Sequence, residues 1–488
     1  MNSIAACKLV DNLYPLMNPS TRIAVIGAGP SGLSAALALT RSIPKLIFVD
    51  LYVAISKHMG SFRKLEVAEQ ILFFWGLAGH VYDLGGQVIA RESSPTLDTL
   101  MTEMGIELEK LGEEPFSLID IASGRVQDLR IVSDVLSMLK VTEKLQEAGE
   151  ASGKLGVHTV SSVAHETSHT YLRSTAKSIM NPKGLVEVPR AVAGLFTASG
   201  YGYAEHMPFA YMHQFVMSIL GQAYRIKGGY DSFWHKISTT LADVRCNTRV
   251  QSIQRRNNKI YISVVQGEST SVLEFDKLIM SGNSSIPVNS NVYLSRAIKA
   301  SLPAEEAAAG ILDYSAKELE VFSRVEIIDY YTTVLKISGF EHFAPRFYYP
   351  ETAQDPSSVG HFVAMQKFHA DTNVFLFWSY GSAEVDQNRV TELLFEDVQK
   401  MGGRVEAVVL QRKFRYFPHV SSRDMRLGFY DKLEGLQGEN NTYYVGALMS
   451  FELTERNSAY SFNLMSKRFG SAEEPIYVKA SSLNRHDH

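Results

Sequence analysis

The stretch Ile23 to Leu39, IAVIGAGPSGLSAALAL, decides how the rest of the chain is read. Residues 22–26 form a short apolar run that reads as a buried parallel strand. After Gly32, the residues Leu33, Ala36, Leu37 and Leu39 recur at helical spacing. Between them, Gly27 permits a tight turn, Gly29 lets backbone N–H groups approach a pyrophosphate, and Gly32 lets the helix lie close to the strand. A phosphate then sits at the positive end of the helix. A second apolar run, Leu46-Ile-Phe-Val, is expected to end as a strand at Asp50, 18 positions beyond Gly32. An acidic residue about 20 positions after the third glycine is placed to bind a ribose hydroxyl. The motif binds a dinucleotide; by itself it leaves FAD and NAD both open.

Bulk properties narrow the partners. The 488 residues suffice for two or three domains, and 45% hydrophobic with 20% charged content is ordinary for a globular protein. A net charge of −4 without a Lys/Arg block gives no grip on nucleic acid, so the partner is a small molecule. Two cysteines, Cys7 and Cys246, make no disulfide framework and suit a reducing, cytoplasmic compartment. The triplets at Asn283 and Asn440 match a glycosylation site but have no secretory signal behind them. Residues 1–20 read as a loose extension, and the longest apolar stretches, 46–55 and 67–78, are too short and too polar to span a membrane.

Further pieces bear on the cofactor. Tyr82-Asp-Leu-Gly-Gly-Gln-Val-Ile-Ala90 places Gly85 and Gly86 where a strand gives way to a loop, either a simple turn or a close approach to ligand. Residues 250–282 alternate as three short strands: 250–255, 259–265, and a third running through Phe275 to Gly282, with Asn257-Asn258 and Gly267 as turns. Near the C-terminus, NTYYVGALMSFELTERNSAYSFNLMSKRF reads as a strand, Gly446 and an amphipathic helix.

In this order the pieces resemble the FAD-dependent amine oxidase and desaturase superfamily, and more closely its branch of polyenoic fatty acid isomerases with their plant FAD/NAD(P)-binding oxidoreductase homologues. The resemblance covers residues 21–470, most specifically SGYGYAEHMPFAY and YFPHVSSRDMRLGFYDKLEGLQGENNTYYVGALMSF. It implies an α/β protein: a Rossmann-type FAD-binding domain (21–115, 225–285 and 405–470) interrupted by an α+β substrate domain (116–224 and 286–404), with a tail at 471–488. It implies FAD, with Gly27, Gly29 and Gly32 on the pyrophosphate and Asp50 on the adenosine ribose. Val250 would touch adenine through its backbone, Gly85 and Gly86 would lie near the flavin, and Gly446 at the flavin end. The activity it implies is that of an FAD-dependent oxidoreductase or isomerase acting by hydride transfer on an apolar unsaturated substrate, in particular double-bond isomerisation of a polyunsaturated fatty acid. A flavin amine oxidase and a cofactor-impaired, non-catalytic homologue are the alternatives.

The chain departs from the family between Asp50 and Tyr82. The expected Gly-Gly segment is missing from the 31 intervening residues, and 66–77 reads as a helix rich in Ile71, Leu72, Phe73, Phe74 and Trp75. The segment is either a natural insertion that lids the cofactor or the product of an altered exon. Loss of the Gly-Gly donors lowers the expected FAD affinity and predicts a weakly yellow protein.

In the substrate region, 128–148 has an amphipathic helical pattern. His165-Glu-Thr-Ser-His169 has HExxH spacing, and Glu187 would complete a zinc set; the resemblance instead makes this an ordinary solvent-facing segment, so no metal is expected. Tyr201 is expected to line the substrate pocket, in which Gly228-Gly229 would approach the ring. Tyr416 and Phe417 either face the flavin or pack the domain interface. The family's substrate-gripping Arg and aromatic positions align with Ser117 and Ser199 here. No catalytic acid or base is identified, since flavin hydride chemistry requires none.

Overall fold

A computed structural model describes residues 21–42, 48–52, 73–75, 80–111, 116–128, 190–219, 221–245, 248–281 and 312–470. The HExxH stretch, Glu187, Cys7, Cys246, Asn283, the patterned segment 129–148 and both chain ends lie outside these residues.

The strand β1 (Arg22–Ile26) is the centre of a parallel sheet because residues 23–26 are all buried. Such a run is what a strand covered on both faces requires. It is flanked by β2 (Phe48–Tyr52) and β14 (Lys277–Ser281), with β10 (Val244–Arg245) and β20 (Thr442–Val445) at the edges, in the order β10-β2-β1-β14-β20. Helix α1 (Pro30–Ser42), buried from Pro30 to Leu39, covers the sheet and carries the chain out of β1. The strand holding Asp50 does not stop there. It runs on to Tyr52, because Leu51 and Tyr52 find backbone partners in β1 on one side and β10 on the other.

The long alternating segment folds as expected for its first two strands and differs at the third. The strands β11 (Thr248–Arg256), β12 (Lys259–Gln266) and β13 (Ser269–Phe275) form an antiparallel meander. Asn257 and Asn258 turn the first hairpin with φ of 52° and 60°, the left-handed pair that a two-residue turn favours. The predicted third strand breaks at Asp276, and the following residues form β14 of the parallel sheet. The carboxylate of Asp276 accepts from the Arg22 backbone N–H at 2.8 Å and from Lys259 at 2.8 Å, so one residue ties the meander to β1 and ends the first pairing.

A seven-stranded sheet runs in the order β19-β15-β18-β17-β16-β7-β8. Its strands are β7 (Phe116–Ile119), β8 (Val126–Asp128), β15 (Glu326–Ser338), β16 (Phe347–Pro350), β17 (Phe362–Lys367), β18 (Val374–Tyr380) and β19 (Arg404–His419). One face packs Leu335, Met365, Phe375 and Phe377 against Leu394 and Val398 of the helix 387–400. The opposite face places Tyr330, Ala364, Leu376, Trp378 and Tyr380 in the core shared with the parallel sheet. The strand β19, which the sequence reading groups with the nucleotide-binding segments, is hydrogen-bonded to β15 in this sheet.

Two small sheets join the halves. The strands β3 (Phe73–Trp75) and β4 (Val81–Asp83) pair antiparallel, with Phe74 opposite Tyr82. The helix expected over 66–77 is therefore corrected at 73–75: a partner strand eight residues downstream satisfies that backbone as a hairpin. The strands β5 (Ile89–Ala90), β9 (Ala223–Ile226) and β6 (Leu108–Lys110) form the other.

Candidate functional site

Gly27, at the end of β1, has φ of 102°, and a Cβ there would lie 2.3 Å from the carbonyl oxygen of Ser281 at the end of β14. A Cβ on Gly32 would lie 1.8 Å from the Gly27 carbonyl oxygen. These glycines are required by the close passage of two strand ends and a helix start. The first helical bond runs from Leu33 N–H to the Gly29 carbonyl at 2.9 Å, so the N–H groups ahead of it have no intrahelical acceptor. They form the anion-binding end of α1. Ile26 pairs with Met280, and Ser281 with Val445, so Gly27, Ser281 and Gly446 stand together at the carboxyl ends of three adjacent parallel strands. That edge is where ligands sit on parallel sheets. Gly446 has φ of 120° and accepts from the Met449 and Ser450 N–H groups, turning the chain towards helix 454–469. Ser458 of that helix meets Ser34 of α1 at 3.0 Å between hydroxyls.

The other expected cofactor positions lie on separate elements. Asp50 is opposite Ala24 in the pairing of β1 and β2. Val250 is buried on β11 opposite Val264, where a bulge precedes Ser252. Gly85 and Gly86 are exposed on the loop after β4, and a Cβ on Gly86 would meet the Tyr230 ring at 3.6 Å. The pyrophosphate end of an FAD fits this edge, since Gly27 and Gly32 let the start of α1, with its N–H groups ahead of Leu33, lie against the strand ends.

The loop after β4 is held from both sides. Asp83 accepts from the Tyr230 N–H at 2.9 Å, and burial pushes its carboxyl up to about 6, the Tyr230 bond and Arg225 opposing the shift. Gly229 packs on Val81 and Asp83, so Gly228-Gly229 supports this loop. From the seven-stranded sheet, the Trp378 indole N–H donates to the Leu84 carbonyl at 3.3 Å, and a His369 ring nitrogen lies 3.2 Å from the Val81 carbonyl.

The aromatic residues singled out in the sequence come together. Tyr201 stacks on Tyr416 with 6.2 Å between centroids and meets Phe417 edge-on at 5.1 Å and Phe451 at 4.8 Å. Their hydroxyls are spent locally. Tyr330 donates to the Ala198 carbonyl at 2.5 Å and Tyr380 to the Thr197 carbonyl at 2.5 Å, capping the last turn of the helix 190–198. Tyr201 donates to the Glu452 carbonyl at 3.3 Å. Burial raises the phenols of Tyr201, Tyr330, Tyr380 and Tyr416, and they stay neutral. His419 stacks on Phe417 at 5.0 Å, and one ring nitrogen lies 2.8 Å from the Phe417 carbonyl. Burial lowers its pKa to about 4, that bond opposing the shift. The wall is made of rings packed on one another, and neither His419 nor these four phenols titrates near neutrality.

Ser117 and Ser199 contribute nothing to it. Ser117 accepts from the Arg346 guanidinium at 3.1 Å, and Ser199 donates to the Leu195 carbonyl at 2.8 Å. Ser117 alternates with Phe116 and Leu118, which pack on the shared core, so it faces the other side of the sheet. Sequence reading missed Tyr330, Tyr380, Trp378, Phe451 and Glu452. The alternation in DYYTTV and FLFWSY carries the signal for the first two, once those segments are taken as strands. Among the described residues no group of three or more His, Cys, Asp or Glu side chains is placed to hold a metal ion. No helix of the described residues is long and apolar enough to cross a membrane.

Comparison with known proteins follows the same lines. The family model of flavin containing amine oxidoreductases matches residues 72–311. No curated protein matches the chain. Among solved structures, a fatty acid isomerase from P. acnes that produces CLA superposes with a TM-score of 0.74 at 22% identity, over 93% of this chain and 100% of that one. Putrescine oxidase superposes with a TM-score of 0.60 at 13% identity, over 92% and 98%. Cyclohexylamine oxidase from Brevibacterium oxydans gives 0.57 at 13%, over 92% and 99%. That family match, which spans just under half of the chain, makes FAD the cofactor, and the solved structures share the fold.

Proposed function

We propose that the protein is an FAD-dependent enzyme that shifts a double bond in an apolar unsaturated chain, a polyunsaturated fatty acid or a close derivative. Gly27, Gly29 and Gly32 would hold the pyrophosphate, Asp50 the ribose and Val250 the adenine. Gly85, Gly86 and Gly446 would lie at the flavin end. Segments 21–115, 225–285 and 405–470 would form the cofactor domain, except that β19 pairs within the substrate sheet. When bound, FAD supplies hydride acceptance and return, so a double-bond shift involves no net redox change. The chain's own tasks are to place a C–H bond and to exclude water.

The observation that carries this reading is the aromatic wall. Tyr201, Tyr330 and Tyr380 turn their hydroxyls onto backbone carbonyls, so a chain packing against this cluster would meet rings rather than free hydroxyls. The full-length likeness to a fatty acid isomerase supports it. A flavin amine oxidase is the second reading, favoured by Glu452, a buried carboxylate whose charge reaches Tyr201 and Tyr416 and would suit a cationic amine.

Purified protein is to be scanned for flavin absorbance before and after FAD is added, then incubated with a non-conjugated polyene. Conjugated-diene absorbance growing without oxygen uptake is the expected result. Hydrogen peroxide from an amine, with no action on the polyene, would establish the second reading. Failure to take up FAD would mean a cofactor-impaired homologue.

A further inference from the structure

Gln366 lies on β17 with 1% of its surface exposed. Among the described residues, neither its amide nitrogen nor its amide oxygen has a hydrogen-bond partner. Burying an amide with neither bond made is costly, so such a group calls for a partner that the protein alone does not provide.

The sheet fixes where that partner can come from. Gln366 stands opposite Phe347 on β16 and opposite Leu376 on β18. Both cross-strand neighbours are therefore hydrocarbon. Trp378 and Tyr349 are the polar diagonal neighbours; the Trp378 indole is a donor only and that donor is used on the Leu84 carbonyl, and no bond joins the Tyr349 hydroxyl to the amide. The partner is then sought above the sheet face. There the bond from Trp378 brings in the loop that carries Gly85 and Gly86, and Gln87 on this loop also buries a side-chain oxygen with no partner among the described residues.

We infer that Gln366 is a specificity-determining residue which receives the polar end of the substrate chain, and that the group it receives is neutral: a carboxamide or an alcohol. The inference rests on the proposed reading of the protein as an enzyme of apolar unsaturated chains. An amide side chain offers one acceptor and two donors. A carboxylate is acceptor-only, so it would bond the nitrogen and set its second oxygen against the Gln366 oxygen. A carboxamide or hydroxyl closes both bonds. Arg225, a cation near this end, lies 4.7 Å over the Phe368 ring with Asp83 acting on its charge, and its buried Nε has no partner among the described residues, so the choice of a neutral group rests on the donor and acceptor of the amide itself. The tight packing over Gln366 has to open as the ligand enters.

The FAD-loaded protein is titrated with linoleamide, linoleyl alcohol and linoleic acid at mildly alkaline pH, where the acid is ionised. Binding is read from tryptophan fluorescence, for which Trp378 is the nearby reporter, and flavin absorbance is recorded alongside. The amide and alcohol should bind about tenfold more tightly than the carboxylate, the size of one or two hydrogen bonds. Gln366→Leu, or Gln366→Met where the first variant folds poorly, should abolish that preference and leave the affinity for a diene hydrocarbon unchanged. Equal affinities in the unaltered protein, or a preference for the carboxylate, would overturn the role of Gln366 while the apolar-chain reading stands. Unchanged selectivity in Gln366→Leu with a shifted flavin spectrum would assign the amide to the ring instead and also overturn it. Absence of binding by all three ligands and by the hydrocarbon would sink both.

Discussion

The glycine loop of β1 and the aromatic wall of the seven-stranded sheet both depend on missing side chains, and they differ in what fills the space. At Gly27 and Gly32 an added Cβ would meet backbone oxygens, at 2.3 Å and 1.8 Å. At Gly200 and Gly202 it would meet side chains, a Tyr416 ring carbon at 2.7 Å and the Met207 methyl at 2.2 Å. Backbone held in a parallel ladder cannot retreat, whereas a ring or a methyl can rotate. The first region is thus fixed by the path of the main chain, and the second by how side chains pack upon it.

The largest effect should follow from forcing the first region. Gly32→Ala sets a methyl against the Gly27 carbonyl and the Ser281 hydroxyl at once, and about 4 kcal/mol or more of stability should be lost. Thermal unfolding and FAD uptake measured together check this. A variant that folds with unchanged stability and binds FAD as the parent does would show that the turn has slack.

The two regions should also answer acid in opposite directions. Asp83, beside the Gly85-Gly86 loop, has its pKa raised by burial from 3.8 to about 6. The folded state holds the extra proton between those values, so this group's contribution is present below 3.8 and is lost as pH rises to about 6, roughly 3 kcal/mol in all. His419, in the wall, has its pKa lowered by burial from 6.5 to about 4. Here the unfolded state holds the extra proton, so the contribution is present above 6.5 and is lost as pH falls to about 4, again roughly 3 kcal/mol. In the unaltered protein the two slopes largely cancel across this window; in denaturant unfolding Asp83→Asn, which keeps an acceptor for Tyr230, should leave the rising slope of His419, and His419→Gln should leave the falling slope of Asp83. A variant that shifts the whole profile without changing its slope would mean that the group does not titrate in that range.

The same contrast explains what could be read from the sequence. The glycine loop, the helix after it, the first two strands of the meander and Gly446 with its helix were legible because each is a local pattern that a short segment imposes on itself. What remained hidden depended on distant strands. Asp50 lies within its strand because Leu51 and Tyr52 pair with β1 on one side and with β10, nearly two hundred residues on, on the other. Phe73–Trp75 are extended because β4 offers a partner, against an apolar pattern that suits a helix equally well. Tyr201 and Tyr416 were recognisable as aromatic residues, but only the pairing of β19 with β15 sets Tyr416 between Tyr201 and Tyr330. Ser117 drew attention by alignment, yet strand alternation turns it to the opposite face. Gln366 carried no signal at all, because an unpaired amide is defined by its neighbours.

The smallest effect gives the sharpest test of whether the wall is rigid. Gly200 and Gly267 both have positive φ, 86° and 61°, so an alanine at either carries the strain of a left-handed backbone. At Gly267, between β12 and β13, a Cβ would meet nothing within 4 Å, and Gly267→Ala should cost about 1 kcal/mol from that strain alone. At Gly200 the same strain is joined by the Tyr416 ring at 2.7 Å and a Tyr330 ring carbon at 3.2 Å. Tyr330 is anchored by its hydroxyl to Ala198, and Tyr416 lies between Tyr330 and Tyr201, so neither ring can swing away without disturbing the next. Gly200→Ala should therefore cost about 2 to 3 kcal/mol, the price of overpacking added to the strain. The difference between the two variants, read from denaturant midpoints at constant slope, isolates the contribution of the stacked rings. If it vanishes, Tyr416 moves freely, and the wall would shape itself around a substrate chain rather than hold that chain in a geometry set beforehand.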